Sequence, residues 1–124
     1  MDIKKFLSKY SEEIRYFGRD GGYEVAFPFK FVNDDKISSV FISEDETGLF
    51  TITDNGNTML YLENRGVDTD EYAVKIKRIC KLFDLECENG IFKRNLGEYE
   101  TNQTFTQLTS FLVGISHIAT IDRL

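Results

Sequence analysis

The side chains able to do chemistry are few and scattered along the chain. Asp54-Asn55-Gly56-Asn57 is a polar turn ahead of a helical stretch, and such a turn can present backbone N–H groups to an anion. The same residues suit a structural turn, with Asp and Asn bonding the local backbone and Gly56 taking positive φ. The structural role is the expectation, since the spacing fits neither a P-loop, nor a dinucleotide fingerprint, nor an EF-hand. His117 is the sole histidine and has no Ser or Cys at a catalytic spacing, so it reads as a surface or interface residue. Cys80 and Cys87 form no C-x-x-C and have no His beside them in sequence, which leaves two reduced thiols, Cys80 on an apolar helix face. A disulfide between them stays open as an alternative. No metal and no cofactor is expected. An enzyme using Asp54 with Glu44 or Asp45 around a divalent ion is the weakest reading, because nothing in sequence brings those carboxylates together. The acidic pairs at Asp34-Asp35 and Glu44-Asp45-Glu46 fall on successive turns of a meander, which lie at opposite ends of a sheet.

Charge supplies a second kind of candidate. The net charge is −6, but residues 1–71 carry 8 basic and 15 acidic groups, whereas residues 72–124 carry 7 and 6. An acidic first half argues against a dedicated duplex-DNA binder, which needs a broad basic surface. The one basic cluster is Lys75, Lys77, Arg78 and Lys81 with Lys93 and Arg94, and Val74 lies among them on the outward side of a helix. It could grip phosphates or an acidic protein surface, or serve only to solvate the helix. A third candidate is an absence: no side chain from Thr101 to Ile121 carries a formal charge. Behind its apolar stripe this closing helix shows Thr106, Thr109, Ser110, Val113, Gly114 and Ser116, where a water-facing helix would carry Lys and Glu, and Thr106, Ser110, Val113, Gly114 and His117 are the candidates for a subunit interface. Either it is packed on both sides within the domain, or this face meets another subunit as a homodimer.

The elements that must position these residues follow from hydrophobic periodicity. Ile3, Phe6, Leu7, Tyr10, Ile14 and Phe17 predict an amphipathic first helix ending near Gly18. Alternation from Tyr23 to Phe31 predicts a strand, with Pro28 putting it at an edge or a bulge. Ile37–Ser43 and Leu49–Thr53 complete a meander. A short helix follows the Asp54 turn to Arg65, with Asn57 or Thr58 as its cap, and a second opens at Thr69 with Tyr72, Ala73, Ile76, Ile79, Cys80 and Phe83 on one face. Asn89-Gly90 predicts a hairpin between Leu85–Glu88 and Ile91–Asn95. Phe105 to Ala119 predicts the closing helix.

The stretch Phe50-Thr51-Ile52-Thr53-Asp54-Asn55-Gly56-Asn57-Thr58, followed by Leu62, Gly66, Arg78, Ile79, Phe83, Leu85 and Gly90, resembles the domain-of-unknown-function family 1828. The resemblance covers the middle two-thirds of the chain and is densest in the strand, T-D-x-G-x-T, helix core. It implies a small bacterial or phage protein and brings no activity or catalytic residue with it.

These readings combine into an α+β class: one domain over residues 1–124, order α-β-β-β-α-α-β-β-α, with an antiparallel sheet of about five strands and helices mainly on one face. Two separate small sheets are the alternative. At 124 residues and 41% hydrophobic composition the chain can bury one core without staples. Its N-terminus offers no apolar stretch for export or a membrane span, so a cytoplasmic location is expected. The expected function is a non-enzymatic protein-binding module, a phage- or element-encoded inhibitor of a bacterial defence or nucleic-acid-processing protein. Nucleic-acid binding through the cluster at 75–94 is the alternative, and an immunity or antitoxin role the second.

Overall fold

The computed structural model describes residues 15–19, 21–26, 40–44, 49–97 and 102–123. Among these residues six strands form one antiparallel sheet: β1 (Arg15–Arg19), β2 (Gly22–Ala26), β3 (Val40–Glu44), β4 (Phe50–Thr53), β5 (Glu86–Glu88) and β6 (Ile91–Gly97), ordered β1-β2-β3-β4-β6-β5. Three helices accompany it among the described residues: α1 (Asn57–Asn64), α2 (Ala73–Phe83), led in by a 3-10 turn at Thr69–Tyr72, and α3 (Asn102–Ala119). The α+β class and the antiparallel sheet with its helices are as the patterning predicts, and the sheet is one, not two.

Alternation decides the faces of the sheet. The register sets Val25 opposite Val40, Tyr23 opposite Ile42, and Ile42 opposite Ile52, so one face carries Val25, Val40, Ile42, Phe50, Ile52, Phe92 and Leu96, all buried. The helices lie on that face, adding Leu62, Ile76, Leu108, Phe111, Ile115 and Ile118 to the same core. Thr51, Thr53, Lys93 and Asn95 project from the other face, where Thr51 Oγ1 bonds Asn95 Oδ1 at 3.2 Å.

One element departs from the sequence reading. Residues 15–19, predicted as the end of the first helix, form β1 and pair with β2 from Arg15 opposite Ala26 to Arg19 opposite Gly22. A spacing of a few apolar residues is compatible with either period, and pairing to an existing strand outweighs weak helical propensity in so short a piece. β1 is also the strand by which the sheet exceeds the expected five. The rest of the predicted first helix, Pro28, and the turns holding Asp34, Asp35, Asp45 and Glu46 lie outside the described residues.

The helix ends are closed locally. Arg65, Gly66 and Val67 return their N–H groups to carbonyls of Tyr61, Leu62 and Glu63 at the end of α1. Asp84, at φ 57°, ends α2, and the Leu85 N–H bonds the Cys80 carbonyl at 2.8 Å. Arg65 then ties α1 to the end of α3. Its guanidinium reaches both Asp122 carboxylate oxygens, at 3.3 and 2.9 Å, and the Ala119 carbonyl at 3.3 Å, while lying 5.2 Å from the Tyr61 ring centroid.

Candidate functional site

The Asp54 turn is built by its own carboxylate. Asn55 and Gly56 both take positive φ, 55° and 81°, and the Asn57 N–H bonds the Asp54 carbonyl at 3.0 Å, which makes a type I′ turn that Gly tolerates without a Cβ clash. Asp54 is 2% exposed. Its Oδ1 accepts from the Gly56 N–H and from the Phe92 N–H, each at 2.9 Å, and its Oδ2 from the Thr58 N–H at 3.1 Å. One side chain therefore closes the turn, caps α1 and fastens both to β6. The cap predicted from Asn57 or Thr58 comes instead from Asp54, two residues before the nominal cap position, which has no side-chain bond of its own. The Asn55 N–H goes to Thr53 Oγ1 at 3.2 Å. The amides of residues 55–58 thus all have acceptors within the protein, and the charge an anion would bring is already supplied by Asp54.

A second I′ turn at Asn89-Gly90 joins β5 to β6, as Asn-Gly predicts. The two turns lie side by side: a Cβ placed on Gly56 would stand 3.6 Å from Ile91 Cγ1, and one on Gly90 would stand 3.7 Å from Met59 Cγ.

The six cations of the basic cluster do not stay together. Arg94 points to the helix face of the sheet, where it donates to the Phe83 carbonyl at 3.1 Å and stands 3.9 Å from Asp84. Lys93 leaves the opposite face and pairs across the hairpin with Glu88 at 3.4 Å. On α2, Lys75 lies 5.7 Å from the Tyr72 ring centroid. Lys77, Arg78 and Lys81 are exposed and make no ion pair among the described residues. At about 100° per residue, Lys77, Lys81, Val74, Arg78 and Leu82 span an arc of about 140°, with Lys75 at its margin. Ile76 and Cys80 are buried on the other side, while Ala73, expected there, is exposed. Val74 is 64% and Leu82 77% exposed. Leu82 is the residue sequence reasoning missed. Its spacing, four from Arg78 and eight from Val74, is the signal that places it on this ridge.

The closing helix divides its weakly polar side. Gly114 is buried, and a Cβ there would stand 3.0 Å from both Leu85 Cδ1 and Phe83 Cβ, so the small residue serves the packing of α3 against the end of α2. His117 stacks on Phe83, ring centroids 5.3 Å apart at 25°. Thr106, Val113 and His117 face outward and Ser110 is half-buried. Ser116 donates back to the Leu112 carbonyl at 2.9 Å.

Both cysteines are free, Cys80 buried and Cys87 exposed on β5. Burial, with the neighbouring Cys87 adding, pushes the Cys80 thiol up to about 11. Burial also raises Cys87, a backbone hydrogen bond with Gly90 opposes it, and the Asp54 charge adds to the rise. Neither is tuned as a nucleophile at neutral pH, where only the thiolate reacts. The unfolded Cys80 ionises first, near 9, so its contribution to stability is intact below that pH and is lost as pH rises towards about 11. Urea unfolding from pH 7 to 11 should show a steeper alkaline decline for the wild type than for Cys80→Ala. Equal slopes would remove the buried thiol as the cause.

Among the described residues no group of three His, Cys, Asp or Glu is placed to hold a metal ion, and no helix is long and apolar enough to cross a membrane. A family model described as "Domain of unknown function DUF1828" matches residues 27–115. No curated protein and no solved structure matches the chain significantly.

Proposed function

The chain belongs to the DUF1828 family, and from that starting point we propose that it is a non-enzymatic protein-binding module acting stoichiometrically on a protein partner. In its finer form the proposal is a cytoplasmic, phage- or element-encoded inhibitor of a bacterial defence or nucleic-acid-processing protein. The observation that carries it is the division of labour among charged groups. Asp54, the ionisable residue of the motif, is committed to three backbone N–H groups, whereas Lys77, Arg78 and Lys81 stand exposed on one helix face with no ion pair among the described residues. The motif builds the scaffold, and the charge available to a partner lies on the surface.

Immobilised full-length protein, incubated with nuclease-treated bacterial lysate at physiological salt, should retain a partner in near one-to-one ratio. The double charge reversal Lys77→Glu, Lys81→Glu should lower retention about tenfold or more, the range expected when charge pairs across an interface are inverted. Absence of any retained protein, alongside measurable turnover of a nucleotide or nucleic acid, would overturn the reading.

Nucleic-acid binding is the second reading, favoured by four cations and no acid within α2. It requires a steep loss of affinity with salt. The dispersal of Lys93 and Arg94 into intramolecular contacts shortens the basic track it would use.

A further inference from the structure

Helix α2 carries two features on its outward side that a merely solvated helix does not need together. The first is the group of exposed cations at Lys75, Lys77, Arg78 and Lys81, with no acidic residue between Ala73 and Phe83. The second is a pair of large aliphatic side chains, Val74 and Leu82, 64% and 77% exposed. They stand eight residues apart, about 12 Å along the axis, with Arg78 midway on the same ridge. Burial of aliphatic surface gives energy against another apolar surface and little against phosphate, and a side chain the size of Leu contributes about 1.5–3 kcal/mol when fully buried.

The N-terminal approach to this face is negative. Asp68, Asp70 and Glu71 precede the helix and Asp84 follows it, all exposed, whereas Glu86 and Glu88 share the opposite face of the sheet with Lys93. The cations of α2 thus begin where a run of carboxylates ends. A nucleic-acid strand, with uniform charge along its length, would run from the cations into the carboxylates that precede the helix. A compact acidic patch has no such conflict. Mixed aliphatic and cationic character with an acidic N-terminal border therefore favours a protein segment over a polyanion.

Resting on the protein-binding reading above, we propose that the outward face of α2 docks an acidic amphipathic segment of the partner protein. Carboxylates of that segment lie over Lys77, Arg78 and Lys81, and its apolar side chains cover Val74 and Leu82. The paired aliphatic residues set the register of the docked segment, and the cations set its sign.

The probe is a labelled helical peptide of Glu and Leu, with one face acidic and one apolar, titrated against the full chain by fluorescence anisotropy. Controls are the same peptide with Leu→Ser, the same with Glu→Gln, and a single-stranded DNA oligonucleotide. The Glu/Leu peptide should bind best. Leu→Ser in the peptide, or Leu82→Ser in the protein, should each weaken binding about tenfold; Lys77→Glu with Lys81→Glu should weaken it at least as much. All these protein positions are exposed, and unchanged urea midpoints would exclude unfolding as the cause. Equal binding of the Leu→Ser peptide, tighter binding of the oligonucleotide, or indifference to Lys77→Glu with Lys81→Glu would each overturn the site. So would a sedimentation result in which α2 mediates self-association, since the occupant would then be a second copy. A lysate partner retained equally by wild type and by the Leu82→Ser and charge-reversed variants would refute this site while leaving the protein-binding reading in place; no retained partner at all would refute both.

Discussion

Replacing Asp54 by Ala is expected to remove a large part of the stability of the fold. Three backbone N–H groups, of Gly56, Thr58 and Phe92, would lose their acceptor at a position only 2% exposed, where water has little room to substitute. Hydrogen bonds to a charged acceptor contribute about 1.5–3 kcal/mol each. Even with imperfect additivity the loss is about 4–6 kcal/mol, against a total of about 5–15 for a domain. Asp54→Asn separates size from charge. Its carbonyl oxygen can still accept from Gly56 and Phe92, but its amide meets the Thr58 N–H donor to donor. The expected order of urea midpoints is Asp, then Asn about 2–3 kcal/mol lower, then Ala. A near-normal midpoint for Ala, combined with loss of partner retention, would reverse the assignment and make the turn a binding site.

That result would also explain why the T-D-x-G-x-T motif is so legible. Thr53, Asp54, Gly56 and Thr58 are adjacent in sequence, and the bonds that close the turn are short-range, so residue type alone discloses them. The bond from Asp54 to the Phe92 N–H, across 38 positions, is not disclosed by local pattern. The same line divides the rest of the molecule. Asn89-Gly90, the alternation of β3 and β4 and the stripe of α3 report their own geometry, whereas β1 depends on a partner strand. Residues 15–19 read as helix because the spacing of Ile14 and Phe17 is compatible with one.

Among the candidate sites, the helix cations were legible and their separation from Lys93 and Arg94 was not. Residues 93 and 94 are neighbours in sequence, but successive residues of a strand leave opposite faces of the sheet, so no single surface can use both. Gly114 shows a similar limit. A small residue on a helix marks a close approach, but only the fold shows that the approaching groups are Phe83 and Leu85 of the same chain.

The second large effect is expected at Gly22, where β2 lies between β1 and β3. A Cβ built there would fall 2.1 Å from the Ile42 carbonyl oxygen and 2.9 Å from Ser43 Cα. Both atoms are backbone, so no rotamer change relieves the clash, and β3 must move away from β2 at the end where Tyr23 faces Ile42. Overpacking of a rigid site costs about 1–3 kcal/mol, and backbone against backbone belongs above that range; Gly22→Ala is expected to cost more than about 3 kcal/mol and to speed amide exchange in β2 and β3. Gly21 provides the internal control. It sits at φ 82° with nothing within 4 Å of its Cβ position, so Gly21→Ala should cost only the left-handed penalty of about 1–2 kcal/mol. Two adjacent glycines thus report two different constraints, one of dihedral angle and one of space. If both alanines cost the same, the close approach of β2 to the Ile42 carbonyl does not hold in solution, and the register that aligns Val25 with Val40 must be relaxed at that end of the sheet.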